Sequence, residues 1–404
     1  MVQRISTLLL AGLLALLGAQ AQQPPSAYVT ELLEKAHSGD PEAQYNLGMR
    51  AAYGLGMERD EEEAMRWYRK AAEQGHITAQ FNLGMRFALG LGVERDEEAA
   101  IGWYRKAAAQ GDMQAMINLG SMLLNGRGTA RDEAAAIALF REAAERGHPE
   151  AQLNLGLRYA SGNGVPRNDF EAIRWFKLAA EKDNPHAGAN LGLLYAQGRG
   201  VPKDEVEAVR WYREAAGHGS ADAQFNLGVM AAAGRGMDRD PAEAIRLYRR
   251  AAEAGHAFAQ VNLGLALSEG RGIAQNEAEA VAWFRKSASQ GNPGGQFNLG
   301  IMLANGRGVE KDEAEAVIWF RKAAEQGSAD AKFNLGSMYG NGQGVARDLV
   351  QAYAWFSLSQ RAGSAPAAQY MGRIERTLGE EERQRASELA RDFAARYRPA
   401  ETRP

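Results

Sequence analysis

The sequence predicts an all-α protein, an α/α-solenoid of nine consecutive 36-residue helix-turn-helix repeats with a capping helix at each end. Three observations predict it. The tripeptide Asn-Leu-Gly begins at Asn46, Asn82, Asn118, Asn154, Asn190, Asn226, Asn262, Asn298 and Asn334, always 36 residues apart, so each copy is one supersecondary unit. Each copy holds two segments with apolar residues at helical spacing. Ala, Leu, Arg, Glu and Gln dominate the composition, and β-branched residues are sparse. At 404 residues the chain is too long for one ordinary core, but a repeat array escapes that limit because each unit buries its apolar face against its neighbours.

Residues 1–21 read as a secretory signal. Arg4 gives a positive start, Leu8 to Leu17 an apolar run, and Ala19-Gln20-Ala21 the small residues of a cleavage site, so cleavage is expected after Ala21. The run is half the ~20 residues a spanning helix needs, and no stable membrane insertion is expected once the signal is removed. With no Cys there is no lipid-attachment cysteine and no disulfide, so a periplasmic or secreted chain must be held by packing alone. Residues 22–40 are expected to form an N-terminal capping helix. Tyr28 to Ser38 ends like the second helix of a repeat, with Gly39 in phase.

The first copy runs from Pro41 to His76. Its first helix, A, carries Ala43, Leu47, Gly48 and Ala51 on one face, and its second, B, carries Ala64, Trp67, Tyr68, Ala71 and Ala72. Small residues at Ala43, Gly48 and Ala64 allow close approach, with Trp67 expected as the large knob. Asp60 is a good N-cap for helix B and Glu63 the partner expected to complete a capping box, a pairing repeated at Asn168, Asp204, Asp240, Asn276, Asp312 and Asp348. Gly75 and its equivalents end helix B in the left-handed conformation. Asp40, Asp112, Asn184, Ser220, Asn292 and Ser328 then suit the N-cap of helix A, with Pro41, Pro149, Pro185 and Pro293 at the first helical position. The A–B loop is Gly-x-Gly, from Gly54/Gly56 to Gly342/Gly344. It follows a helix, lacks the Lys-Ser/Thr of a phosphate loop and occurs nine times, so a backbone turning back on itself explains it. At the C-terminus, residues 365–404 read as a half-repeat and cap. Ala367 to Thr377 forms a lone helix A with Tyr370 in the Asn position, and a charged helix follows with Leu389, Phe393 and Tyr397 on one stripe.

The pattern A-Q-x-N-L-G…G-x-G-V…D…A…W-Y/F-R-K-A-A-E-Q-G resembles the Sel-one-like repeat, a relative of the tetratricopeptide repeat with a longer A–B loop. The resemblance covers residues 41–364, with copies starting at 41, 77, 113, 149, 185, 221, 257, 293 and 329. It implies a right-handed superhelix and a non-enzymatic scaffold or adaptor role in envelope signalling, exopolysaccharide or secretion assemblies, or host-cell contact. The chain departs from the pattern where Leu139 and Leu247 replace Trp, Asp183 replaces the terminal Gly, and Gly294-Gly295 weakens one helix A. Cysteine-rich members of the family are linked to β-lactam binding through one disulfide per repeat, which this chain lacks.

No constellation suggests catalysis, a metal or a cofactor. His76, His148 and His256 share one repeat slot, at the start of helix A, in different copies too far apart to share an ion. The acidic runs Glu61-Glu62-Glu63 and Glu380-Glu381-Glu382 sit at helix starts, where the dipole favours acids, and are read as solvated. The Trp-Tyr/Phe pairs are read as core. Net charge is −3 with interspersed signs, which argues against nucleic acid as a partner.

The resemblance to tetratricopeptide repeats implies that helix A lines a concave surface and that the Asn before Leu-Gly faces it. Two readings stand for the nine asparagines: a row of donors and acceptors for an extended peptide or a terminal carboxylate, or hydrogen bonds that tie each helix to its neighbour. Arg50, Arg86 and Arg158 lie one turn on and would favour an anionic group. The preceding position is mostly apolar, with Tyr45, Phe81, Phe225, Phe297 and Phe333 its aromatic members, which suits a groove for a protein or peptide partner. A structural spacer without a groove ligand and a cell-wall-peptide-binding or hydrolysing protein are the competing readings.

Overall fold

The computed structural model describes residues 25–397, side chains from Tyr28 onward; the signal expected over residues 1–21 lies outside the described residues. By its contacts the chain forms two compact units, one ending at Lys182 and the other beginning at Asp183. All secondary structure among the described residues is helical.

In the first unit α1 (Pro25–His37) precedes four hairpins: α2 (Pro41–Tyr53) with α3 (Glu61–Glu73), α4 (Ile77–Leu89) with α5 (Glu97–Ala109), α6 (Met113–Asn125) with α7 (Glu133–Glu145), and α8 (Pro149–Ser161) with α9 (Asp169–Ala180). The second unit holds five: α10 (Pro185–Gln197) with α11 (Glu205–Gly217), α12 (Ala221–Ala233) with α13 (Pro241–Glu253), α14 (Ala257–Glu269) with α15 (Glu277–Ser289), α16 (Pro293–Asn305) with α17 (Glu313–Glu325), and α18 (Ala329–Asn341) with α19 (Leu349–Arg361). There α20 (Ala367–Glu375) and α21 (Glu380–Arg396) follow. Within the second unit two pairs of successive helices A meet directly, α10 with α12 and α14 with α16.

Local chemistry sets the helix limits. Asp40 accepts from the Glu42 amide at 3.0 Å to start α2, and Gly54 ends it in the left-handed region at φ 67°. Asp60 accepts from the Glu63 amide at 2.8 Å to start α3. The expected capping box does not close, however, because the Asp60 amide already donates to the Ala51 carbonyl at 2.9 Å. The same bond from the cap of helix B to helix A recurs at Asp96, Asn168, Asp204 and Asp348, so the glutamate at the third helical position is left for other partners. Asp183 is the one non-glycine residue with positive φ, 59°, among the described residues.

The second loop glycine has a role beyond turning. A Cβ on Gly236 would lie 2.1 Å from the Glu205 carbonyl oxygen, and one on Gly344 2.2 Å from that of Glu313. These two loops therefore rest on the first turn of the previous repeat's helix B, with no room for a side chain.

Within each hairpin the glycine of Asn-Leu-Gly receives an aromatic ring. It is the residue after the tryptophan position that fills this gap, not Trp67 as expected: Tyr68 lies over Gly48, Phe176 over Gly156 and Phe284 over Gly264. Trp67 packs instead among Leu32, Ala36, Ala43 and Leu47, which fastens α1 onto the first hairpin. At the other end Trp355 meets Phe393 at 4.7 Å and Tyr397 at 5.6 Å, and Tyr370 stacks on Phe356 at 5.3 Å. The last two helices thus cover aromatic surface that the ninth hairpin would expose.

Candidate functional site along helix A

Two sets of polar side chains join one repeat to the next. The first centres on the acid that opens helix B. Glu205 lies between Lys203 of its own loop at 2.9 Å and Arg235 of the following loop at 2.8 Å. Glu97 is held likewise by Arg95 and Arg127, and Arg307 of the following loop reaches Glu277 at 2.6 Å. The basic partners pull the Glu97 and Glu205 carboxyls below the usual range, through hydrogen bonds first and charge second. Glu61, expected in a solvated run, is instead paired with Arg59 and Arg86; burial, the largest single effect, would raise its carboxyl, but the hydrogen bonds and charges of the two arginines together lower it.

The second set is a chain of glutamines. Gln44 Nε2 donates to the Ala36 carbonyl at 3.0 Å, and its Oε1 accepts from Gln74 Nε2 at 2.7 Å. Gln80 with Gln110, Gln260 with Gln290 and Gln296 with Gln326 repeat the pairing. Gln110 and Gln326 also reach back to the glycine carbonyl that ended the previous helix B, at 3.1 and 2.8 Å. Where the second member is Lys182 or Ala254, the buried Oε1 of Gln152 or Gln224 has no partner.

The helix-A residues behave differently. All nine asparagines, Asn46 through Asn334, are half-buried. Asn190, Asn226, Asn298 and Asn334 donate to the carbonyl four residues back in their own helix, at 2.8–2.9 Å. Asn46 donates to Glu42 at 3.1 Å and Asn118 accepts from Gln114 at 3.4 Å. Asn82 bonds Tyr45 and Asn262 bonds Tyr248. Asn154 makes no hydrogen bond among the described residues.

The aromatic positions are half-buried and packed on the helix-B ring of their own hairpin or on the histidine that starts the next helix A. Tyr45 stacks on His76 at 4.8 Å and Phe225 on His256 at 4.5 Å, while Phe81, Phe297 and Phe333 lean on Tyr104, Phe320 and Phe356. Those two histidines are N-caps: His76 Nδ1 accepts from the Ala79 amide and His256 Nδ1 from the Ala259 amide, each at 3.1 Å. The third, His148, caps nothing; its Nδ1 is buried without a partner, and burial lowers its pKa.

The three arginines, expected to favour an anionic group, differ in the contacts they make. Arg86 is 4% exposed and committed to Glu61 and to the Leu91 carbonyl at 3.1 Å, because Leu91 replaces the loop arginine that elsewhere holds the acid. Arg50 donates to the Leu55 carbonyl at 2.9 Å and covers the Tyr28 ring. Arg158 lines a cavity of about 440 Å³ between α6 and α8. Ser121, Leu124, Asn125, Arg131, Phe140 and Asn154 complete the lining. Of these, the sequence pointed only to Asn154; Ser121 and Leu124 depart from the residues usual in their slots, while Arg131 and Phe140 keep theirs and carry no sequence signal.

The Sel1 repeat family matches residues 41–76, 77–112, 114–148, 149–184, 185–220, 221–256, 257–292, 293–328 and 329–364. The chain belongs to the Sel1 repeat family. A solved Sel1 repeat protein from Oxalobacter formigenes is 34% identical, with a TM-score of 0.63, covering 79% of this chain and 95% of its own. The crystal structure of c5321, described as a protective antigen present in uropathogenic Escherichia coli strains and displaying an SLR fold, is 33% identical with a TM-score of 0.60, covering 91% and 95%. A search of curated proteins finds no match. The Sel1 repeat solenoid is a scaffold fold, and no described helix is long and apolar enough to cross a membrane.

Proposed function

We propose that this Sel1 repeat protein is a non-enzymatic scaffold or adaptor of the bacterial envelope that binds a protein segment along the face built from its helices A. One observation carries the reading: the acid and glutamine pairings that join the repeats use the loops, helix B and the buried glutamine of helix A, while helix A keeps, in each unit, a row of half-buried asparagine amides and aromatic rings that these pairings do not use. An extended chain meeting such a row finds donors and acceptors beside apolar surface at a constant repeat spacing. The envelope location rests on Arg4, the Leu8–Leu17 run and Ala19-Gln20-Ala21. The description of the c5321 relative as a protective antigen is in keeping with it.

The test is photocrosslinking in producing cells, with a photoreactive residue at Phe81 or Phe297 and, as control, at the exposed Val206 on helix B. Reproducible capture of one protein from the helix-A positions and not from Val206 is expected. No capture, or capture from Val206 alone, would leave a spacer without a groove ligand as the better account.

A further inference from the structure

The geometry points to a carboxylate-binding subsite at Arg158, formed with Asn154 and Ser121 in the cavity between the helices A of the third and fourth repeats. The inference deepens the groove reading above and rests on it, naming the chemical group that the partner brings to this place.

Three observations converge. The Arg158 side chain makes no ion pair and no hydrogen bond among the described residues, and its Nε is buried without a partner. Its two counterparts are both satisfied, Arg50 by its loop carbonyl and Arg86 by its loop carbonyl and Glu61. The acid that Arg158 would reach by the same logic, Glu133, is already held by Arg131.

The loop that serves the other two arginines is bonded differently here. In the first repeat the Leu55 amide donates to the Arg50 carbonyl at 3.0 Å, and in the second the Leu91 amide to that of Arg86 at 3.0 Å. In the fourth the Asn163 amide donates to Ser161 Oγ at 3.4 Å, while that hydroxyl donates to the Leu157 carbonyl at 2.8 Å. Arg158 makes no hydrogen bond to a loop carbonyl here, and its side chain lines the cavity instead.

The rest of the lining fits an anion with two oxygens. Asn154 has no internal partner, so its amide can donate. The Ser121 hydroxyl adds a second neutral donor. The Arg131 charge is offset by Glu133, so the site holds one net positive charge, that of Arg158. A planar carboxylate meets a guanidinium through two parallel hydrogen bonds, which is the pairing that Arg geometry favours. A carboxylate on a peptide comes either from its C-terminus or from an Asp or Glu side chain.

The experiment separates these sources. The full mature chain, labelled for arginine side-chain NMR, is titrated with N-acetyl-trialanine bearing a free C-terminus, with its C-terminal amide, and with N-acetyl-Ala-Glu-Ala-amide. A saturable shift of the Arg158 Nε–H resonance with the free acid assigns an α-carboxylate, and one with the Glu peptide a side-chain carboxylate. Arg158→Gln is expected to weaken that binding about tenfold or more, the loss of one charge-assisted pair, with an unchanged helical spectrum. Arg66→Gln, on exposed helix B surface, should leave it as it was. The proposal is overturned if neither acid moves the resonance, if the uncharged amide moves it equally, or if Arg158→Gln binds as the wild type does. Photocapture at Phe297, in the other unit, does not depend on Arg158. Loss of capture there with intact carboxylate binding removes the scaffold reading, and the reverse result removes only this subsite.

Discussion

Two Gly→Ala substitutions in helix interiors should change stability in opposite directions. At Gly102, on the exposed face of α5, an added Cβ meets no atom within 4 Å. Only the intrinsic preference of Ala over Gly then acts, and Gly102→Ala should stabilise by about 1 kcal/mol. At Gly264, in α14, the added Cβ would lie 2.6 Å from Cε1 and 2.9 Å from Cδ1 of Phe284. Carbon atoms prefer ~3.5–4.0 Å, so the overlap is about 1 Å. The ring is 1% exposed and has nowhere to swing. Overpacking of this kind costs roughly 1–3 kcal/mol, more where the neighbours are rigid, which outweighs the propensity gain. The net expectation is a loss of about 1–2 kcal/mol, and the two variants should differ by about 2–3 kcal/mol. Long repeat arrays need not unfold in one step, so the assay is the urea midpoint together with amide exchange across α14 and α15. Combining Gly264→Ala with Phe284→Leu should recover part of the loss. If Gly264→Ala raises the midpoint as Gly102→Ala does, the aromatic-on-glycine account of the hairpin is wrong.

Trp211 is 7% exposed, and Trp211→Ala should cost roughly 3–5 kcal/mol, read as an early transition in the second unit; a melt identical to wild type would contradict its place in the core. Lys203 and then Arg235 lower the Glu205 carboxyl in the folded chain, so its contribution is present above the unfolded carboxylate range near 4.3 and lost as pH falls through the lower folded value. Glu205→Gln should accordingly flatten the acid limb of stability against pH, and an unchanged limb would argue that this pairing is inert. Burial lowers the His148 pKa, so its neutral form favours folding fully above pH ~6.5, and that contribution is lost as pH falls through the folded value. His148→Asn should replace this empty cap with one like that of Asn184 or Asn292, raising stability by about 1 kcal/mol and removing the loss below pH 6.5; a lower midpoint would refute it.

What could be read in the sequence was what depends on neighbours along the chain. Asp60 caps helix B and Gly75 leaves it with positive φ because both conformations are set within one turn, and the 36-residue interval fixes which turns these are. The pairings between repeats were hidden for the opposite reason. Gln44 meets Gln74 and Glu205 meets Arg235 across 30 residues, and nothing local marks either as a pair. Glu63 misled for a related reason: its spacing from Asp60 suits a capping box, but the Asp60 amide is taken by a carbonyl from another helix. Trp67 and Tyr68 are adjacent aromatic residues on one helix, and only the direction of each side chain shows that Tyr68 covers Gly48 while Trp67 turns toward α1.

Translational symmetry makes each slot a repeated answer to one physical demand, so a departure should be met by a second change nearby. That is the case at most departures. Leu91 cannot hold Glu61, and Arg86, buried a turn earlier, does so in its place. Pro241 removes an acid, and its two basic neighbours turn elsewhere, Arg239 to the Ala232 carbonyl and Arg271 to Glu269. Ser287 stands where Ala is usual, donates to the Ala257 carbonyl, and is accommodated because Gly295 opposite has no Cβ to meet it. Packing explains these changes as matched pairs. Arg158 is different: neither a loop carbonyl nor the acid Glu133 pairs with its side chain, and no second residue answers. An unpaired guanidinium lining a cavity beside two neutral donors is what a site for an absent partner looks like, since the missing hydrogen bonds are then supplied from outside the chain.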